Sequence, residues 1–411
     1  MTNPSHAAGT KPAAAGGRPS SRGLTATFIL ALGTFAVGTD AFVVAGFLPQ
    51  MAGSLRVSES TAGQSVTVFA AAYAVLSPVL ATVTARLPRK RLLLQALAVL
   101  AVGNVLAALA PNFAVLVVAR VAAAAGAAMY TPNAGAVGAA LVRPELRARA
   151  LAVVIGGLTV ATAVGIPLGN VISQVLDWRS ALGAVAVLAV LAGVGIHAVM
   201  PDLPGGPAVP LRTRLSVLRR RSVLTVLPLT VLGMTACYTA YAYTVPTLHA
   251  VHADAGGTVT WMLLLYGLGA VAGNLAAGYA TDRWGATRVL TIGYVCMAVT
   301  LGAIAWLAGA GTAVLPVIGL LMATWGGSSW CQTPPQQHRL IAAAPHEAPL
   351  VVSLNSSGIY LGIGLGTVLG GATLSAGVPV VCAIGAAIAV LALVFLVLTG
   401  RRSTGAPPAG P

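Results

Sequence analysis

Charge is what this sequence has least of. Asp, Glu, Lys and Arg make up 8% of its 411 residues, where a soluble domain carries about 25%. So few charges cannot cover the surface of a soluble protein of this length. Aromatic residues are scarce as well, at 5%, and there are four cysteines (Cys237, Cys296, Cys331 and Cys382). Each cysteine stands alone in an apolar segment; no pair has metal-ligand spacing and nothing indicates a disulfide. No phosphate-binding loop of the ATPase type is present. The run Gly362–Ile363–Gly364–Leu365–Gly366 lies in an apolar stretch with no strand before it. The acids and histidines are scattered, which argues against a membrane enzyme, and no cofactor is expected.

What is abundant is apolar surface. The chain is 57% hydrophobic, holds 48 glycines and has a mean hydropathy of +0.89. The fold class expected is an all-α membrane protein whose helices pack closely through small residues. Apolar runs long enough to cross a bilayer fall at about 24–48, 62–84, 92–110, 113–141, 148–173, 180–200, 223–246, 258–280, 287–308, 312–332, 349–373 and 378–399, twelve transmembrane helices in all. The longest connection, 201–222, opens with four prolines and closes on Arg219–Arg220–Arg221. It divides the chain into a bundle over 23–200 and a second over 223–400. Disordered tails are expected at 1–22 and 401–411.

The net charge of +15 could suggest a nucleic-acid partner, but its placement excludes one. With the N-terminus in the cytoplasm, twenty of the 23 Lys and Arg fall in inner segments. Only Arg56 and Arg179 fall outside, and Arg120 lies within a span. That asymmetry predicts a multi-pass protein of the cell's inner membrane with both termini cytoplasmic.

The two bundles repeat. Arg86 in the connection after the second span aligns with Arg283 after the eighth. Gly157, Gly165 and Gly169 of the fifth span align with Gly358, Gly366 and Gly370 of the eleventh. Two matches at nearly one offset argue for duplicated halves, an architecture that carries a substrate site between the repeats near the midplane.

One acid stands out. Asp40 lies inside the first apolar run, and the other seven acids fall in or beside connections. A carboxylate in hydrocarbon costs at least roughly 2.5–3.5 kcal/mol, so it is kept for a wet cavity, a partner or a proton. Asp40 sits about 8 residues, roughly 12 Å, from the outer end of its span, and Arg120 about 7 residues, roughly 10 Å, from the outer end of the fourth. The depths match. A neighbouring Arg favours the ionised carboxylate while burial favours the protonated one. A carboxylate held between the two influences can couple its proton to conformation. Polar and aromatic residues inside spans are candidates for the substrate cavity: Phe42, Tyr130, Asn133, Tyr238, Tyr241, Tyr266, Trp325, Trp330, Asn355 and Tyr360.

These features resemble the major facilitator superfamily, and within it the twelve-span drug:proton antiporters of the arabinose-efflux and chloramphenicol-resistance branch. Gly278, Asp282, Arg283, Gly285 and Arg288 are similar to the family's loop motif. In the first half Ala81, Ala85 and Pro88 replace its Gly, Asp and Gly, while Arg86, Arg89 and Lys90 remain. Arg120 and Gly126 resemble the fourth-helix motif, and Gly157, Gly165, Pro167 and Gly169 the antiporter motif. Ser353–Leu354–Asn355 and Gly362–Ile363–Gly364 resemble the sugar-efflux and chloramphenicol branch. The acid departs from the pattern: relatives place Glu where Ala41 stands, and Asp40 precedes it, rotated by about 100° on a helix. The resemblance implies a monomeric secondary transporter, not an enzyme. It would export a small, largely apolar, antibiotic-like compound in exchange for protons, with a sugar or nucleoside exporter as the alternative. Asp282 would latch neighbouring spans in one state.

Overall fold

The structure, a computed structural model, describes residues 21–143, 146–206, 209–251, 258–310 and 314–400. The expected tails lie outside the described residues except for Ser21 and Arg22, with which the first helix opens. Among the described residues there is no strand. Eleven helices are long and apolar enough to cross a membrane: α1 (Thr25–Gly46), α2 (Glu59–Val83), α3 (Arg89–Ala108), α4 (Phe113–Ala140), α5 (Arg149–Val175), α6 (Trp178–Val199), α7 (Arg221–Tyr241), α8 (Val259–Trp284), α9 (Ala286–Ala310), α11 (Leu350–Ala376) and α12 (Val378–Thr399). The tenth expected span is α10 (Leu315–Trp330), which at 16 residues is shorter than the rest. A turn at Cys331–Gln332 closes it, and Pro334 and Pro335 open a further helix, Thr333–Ala343. Proline fits the first turn of a helix, where its missing N–H costs nothing, and not the interior.

Local chemistry sets the boundaries. The side chains of Ser58, Asn112 and Asp177 accept the N–H groups of Thr61, Val115 and Ser180 at 3.1, 3.0 and 2.6 Å, capping α2, α4 and α6. Gly285, at φ 83°, turns the chain out of α8 in a conformation that favours glycine. Several spans are irregular, α5 and α7 among them. In α5 a π-helical segment, Ala161–Gly165, precedes Pro167. The end of α7 is continued after a turn by Thr244–Val251.

Each half packs within itself, and the repeated glycines do the same work in both. A Cβ on Gly165 of α5 would overlap Thr39 of α1, and one on Gly366 of α11 would overlap the backbone of α7 at Thr235 and Thr239. Their absence lets α5 lie on α1 and α11 on α7.

The halves meet along two seams, α2 against α11 and α5 against α8. A Cβ on Gly267 of α8 would run into the backbone of Thr162 and Ala163, so α8 nests against the π segment of α5. At the face away from the chain termini, Ser60 Oγ donates to the Gly371 carbonyl at 2.7 Å and Thr260 Oγ1 to Asn170 Oδ1 at 2.8 Å. At the terminal face the connection between the halves is pinned to the first. The Arg89 amide donates to the Leu203 carbonyl and the Gly206 amide to the Ala85 carbonyl, both at 2.9 Å.

Candidate functional site

The first half contributes a charge pair. Asp40 lies in the last turn of the regular part of α1, which ends at Phe42, and Arg120 stands in the second turn of α4; both are fully buried. Arg120 Nη1 donates to Asp40 Oδ1 at 2.5 Å, and Nη2 donates to the Asp40 backbone carbonyl at 3.2 Å. The guanidinium lies over the Phe69 ring of α2, 4.3 Å from its centroid. A ring face attracts a cation, most of all where water is excluded. Asn104 of α3 stands beside the carboxylate, donating its amide to the Leu100 carbonyl at 3.1 Å. Four helices of one half thus converge on the pair. The set is incompletely satisfied: Asp40 Oδ2, Arg120 Nε and Asn104 Oδ1 are buried without a hydrogen-bond partner. Oδ2 is therefore a buried acceptor with Asn104 beside it, an atom that a proton could occupy.

The second half faces this pair with aromatic rings. Tyr360 of α11 lies within electrostatic reach of both charges and stacks on Tyr73 of α2, with centroids 3.7 Å apart. Phe42, two residues beyond Asp40, meets Tyr238 and Trp330 at 6.1 and 5.8 Å. Behind them Tyr238, Tyr241, Tyr266 and Trp325 form a chain of rings at 4.9, 4.9 and 5.2 Å. Cys237 lies 3.5 Å from the Tyr266 hydroxyl. One charge pair and a wall of rings offer broad apolar contact, with the tyrosine hydroxyls and the Trp325 indole as its polar groups.

The other candidates divide. Phe42, Tyr238, Tyr241, Tyr266, Trp325 and Trp330 fall in one contiguous aromatic group, and Tyr360 stands with Tyr73 and Phe69 in a second. Three fall elsewhere. Tyr130 lies over Gly33 and donates its hydroxyl to the Leu30 carbonyl at 3.0 Å, inside the first half. Asn133 accepts from Arg89 Nη1 at 3.0 Å near the terminal face. Asn355 accepts from Thr230 at 2.8 Å, and Thr230 in turn receives the Gln336 amide at 3.1 Å. Among the motif residues, Gly157, Gly165 and Gly169 lie where α5 touches α1, and Pro167 is buried beside them. Gly278 borders open space; Arg86, Asp282, Arg283 and Gly285 are exposed, and Lys90 is half-buried. Arg283 donates to the Tyr279 hydroxyl at 3.3 Å. Asp282 is in neither of the two ion pairs found among the described residues, Asp40–Arg120 and Arg220–Glu347. Phe69, Tyr73 and Asn104 were not singled out from the sequence. Their one visible signal is a ring or an amide at the depth of Asp40. Among the described residues no cluster of three or more His, Cys, Asp or Glu could hold a metal ion.

A family model described as Major Facilitator Superfamily matches residues 30–348 and 255–411. An uncharacterized MFS-type transporter of Bacillus subtilis, YbcL, is 31% identical over 373 residues, covering 90% of this chain and 95% of that protein. The inner membrane transport protein YdhP of Escherichia coli is 31% identical over 380 residues, covering 91% and 95%. Among solved structures, a bacterial homolog of the human lysosomal transporter Spinster, in an inward-facing and unoccupied conformation, superposes with a TM-score of 0.72. It is 17% identical and covers 95% of this chain and 100% of that one, a likeness of fold.

Proposed function

This chain belongs to the major facilitator superfamily and is a multi-pass secondary transporter, and on that footing we propose that it exports a small, largely apolar, antibiotic-like compound by proton antiport. The observation that carries this reading is the buried Asp40–Arg120 pair, with its unpartnered Oδ2, set against the aromatic rings of the second half. Protonation of Oδ2 removes the negative charge facing Arg120 and weakens the contact that holds α1 to α4. Substrate entering among Phe42, Tyr238 and Trp330 must separate the two halves at the same level. The proton acts on packing within the first half and the substrate on the interface beside it, and Phe42, two residues beyond Asp40, links the two as the halves rock to open one face at a time. Apolar substrates fit because the rings supply area, and the single charge pair is already internally matched.

The terminal face carries most of the Arg and Lys and is assigned to the cytoplasm, with the inner membrane as the location and a monomer as the working unit. Arg86, Arg89 and Lys90, with Gly278, Asp282, Arg283 and Gly285, lie at the α2–α3 and α8–α9 connections and the helix ends beside them, which change partners as the halves rock. The π segment and Pro167 let α5 bend against α8. A sugar or nucleoside exporter on the same fold is the alternative; it would use the Asn355–Thr230–Gln336 network as its polar contact. A membrane enzyme has the least support.

Expression in a host stripped of its own exporters, followed by challenge with apolar antibiotics and with sugar analogues, separates these readings. Raised tolerance to the apolar compounds, abolished by collapsing the proton gradient, is expected. Tolerance confined to the sugar analogues would favour the alternative.

A further inference from the structure

Away from the interface between the halves, the second bundle leaves a gap of about 300 Å³ between α8, α9 and α10, in the lower range for small-ligand sites. On α8 the gap is bordered by Gly273, Ala276 and Ala280 and closed at the terminal face by Trp284; α9 contributes Ile292 and Cys296. The small residues of α8 leave the space unfilled. They cannot draw α9 inward, because α8 is already pressed on α10: a Cβ on Gly273 would overlap the Gly327 backbone.

The gap is dry by construction. Its polar members on α10 are turned back onto their own helix. Thr324 Oγ1 donates to the Leu320 carbonyl at 2.8 Å, Ser328 Oγ to the Trp325 carbonyl at 3.0 Å, and Cys331 Sγ to the Ser328 carbonyl at 3.2 Å. Those donor hydrogens are committed within their own helix, and the rest of the lining is apolar apart from the Cys296 thiol, a weak donor, so little holds water there. Lining atoms facing a void lose their dispersion partners, so an apolar filler is favoured.

The surroundings identify the filler. Leu275 and Tyr279 on α8 and Val295 and Val299 on α9, beside or one turn from its lining residues, are exposed apolar side chains. In a membrane protein that surface meets lipid. From Gly273 to Trp284 the helix rises roughly 16 Å, close to half of a hydrocarbon core of about 30 Å, so the gap spans the leaflet on the terminal side. Trp284 marks its polar end, and Arg283, Arg288 and Asp282 are exposed there, a net positive rim at headgroup level.

We propose that this gap is a lipid site that takes one acyl chain of a bilayer phospholipid from the terminal-side leaflet, with the lipid phosphate beside Arg283 and Arg288. The chain lies between α9 and the α8–α10 pair and is enclosed on three sides. It therefore stays longer than lipids that touch the outer surface of α6, where Val187, Leu191 and Val194 are exposed. The proposal depends only on the chain spanning a membrane and not on what it transports.

The test is photo-crosslinking of the full-length protein in nanodiscs of phosphatidylglycerol that carries a diazirine midway along one chain, with labelled peptides mapped by mass spectrometry. Label should concentrate on α8 and α9 over 273–296, severalfold above α6. Ala280→Phe, which fills the gap, should remove most of that excess and leave α6 labelling unchanged. Ala276→Leu, at an exposed position that tolerates bulk, should reproduce the loss in part and keeps the test valid if Ala280→Phe does not fold. Labelling of α8 and α9 no stronger than of α6, or labelling indifferent to both fillings in well-folded protein, would overturn the site.

Discussion

Arg120 grips Asp40 twice: Nη1 holds the carboxylate at 2.5 Å while Nη2 reaches the carbonyl of the same residue at 3.2 Å. The double contact fixes the carboxylate's orientation, commits Oδ1 to the guanidinium and leaves Oδ2 free. A lysine at this position would be a point charge with one reach, and an arginine offers a planar fork. That geometry separates two functions. One oxygen anchors α1 to α4, and the other is available to a proton.

The grip predicts how the pair fails. Arg120→Ala removes one partner of a buried ion pair, a change that costs about 3–5 kcal/mol, and it also strips the cation from Phe69. Purified Arg120→Ala should melt well below the parent protein, and Arg120→Lys in between. Equal melting temperatures for all three would show that the pair contributes nothing to stability.

The Tyr73–Tyr360 stack ties the halves together close to the charge pair. Aromatic pairs contribute about 0.5–1.5 kcal/mol beyond their burial, enough to shift a balanced conformational equilibrium by severalfold. Tyr360→Ala should broaden the distance distribution between spin labels on α2 and α11, and Tyr360→Phe, which keeps the stack, should not. Indistinguishable distributions for all three proteins would remove the stack from the conformational balance.

Asp282 is exposed and unpaired by ion in this conformation. If it latches the loop in another conformation, Asp282→Asn should leave the melting temperature unchanged and still slow transport, because the lost contact belongs to a state not seen here. Transport at the parent rate would reduce the loop to a determinant of orientation.

Asp177 links acidity to stability outside the bilayer. The Ser180 side chain and backbone N–H hold its carboxyl below the usual carboxylate range. A lowered value in the folded state means stability that is present at neutral pH and lost as pH falls through that value. Asp177→Ala should therefore lower the melting temperature slightly at pH 7 and have no effect once both proteins are measured well into acid. A difference that persists unchanged at low pH would assign the loss to packing rather than to the charged cap.

Much of this architecture could be read from the sequence, because apolar length and basic connections report spans directly. The repeated glycines signalled helix contacts, and α5 on α1 and α11 on α7 are those contacts. Asp40 and Arg120 were matched by counting residues from the span ends, and rise per residue is a reliable ruler. What could not be read was rotation about the helix axis. In a helix that is apolar all round, no polar face reveals which way a side chain points. Tyr130 therefore looked like a cavity residue and here fills the space over Gly33, while Phe69 and Asn104, which nothing in the sequence singled out, surround the charge pair. The shortness of α10 was hidden for a related reason. The apolar run continues to Cys331, and only the two prolines after it mark the break.

The most direct test of proton coupling through Asp40 is substrate-induced proton release, followed with a pH-sensitive dye in weakly buffered detergent solution. An apolar antibiotic identified by the tolerance screen should release protons from the parent protein. Asp40→Asn should release none while still equilibrating the compound downhill in proteoliposomes, because the cavity shape is nearly unchanged. Asp40→Glu should retain part of the release. Proton release of parental size from well-folded Asp40→Asn would contradict the account, since among the described residues there is no second acid in the membrane core to carry the proton.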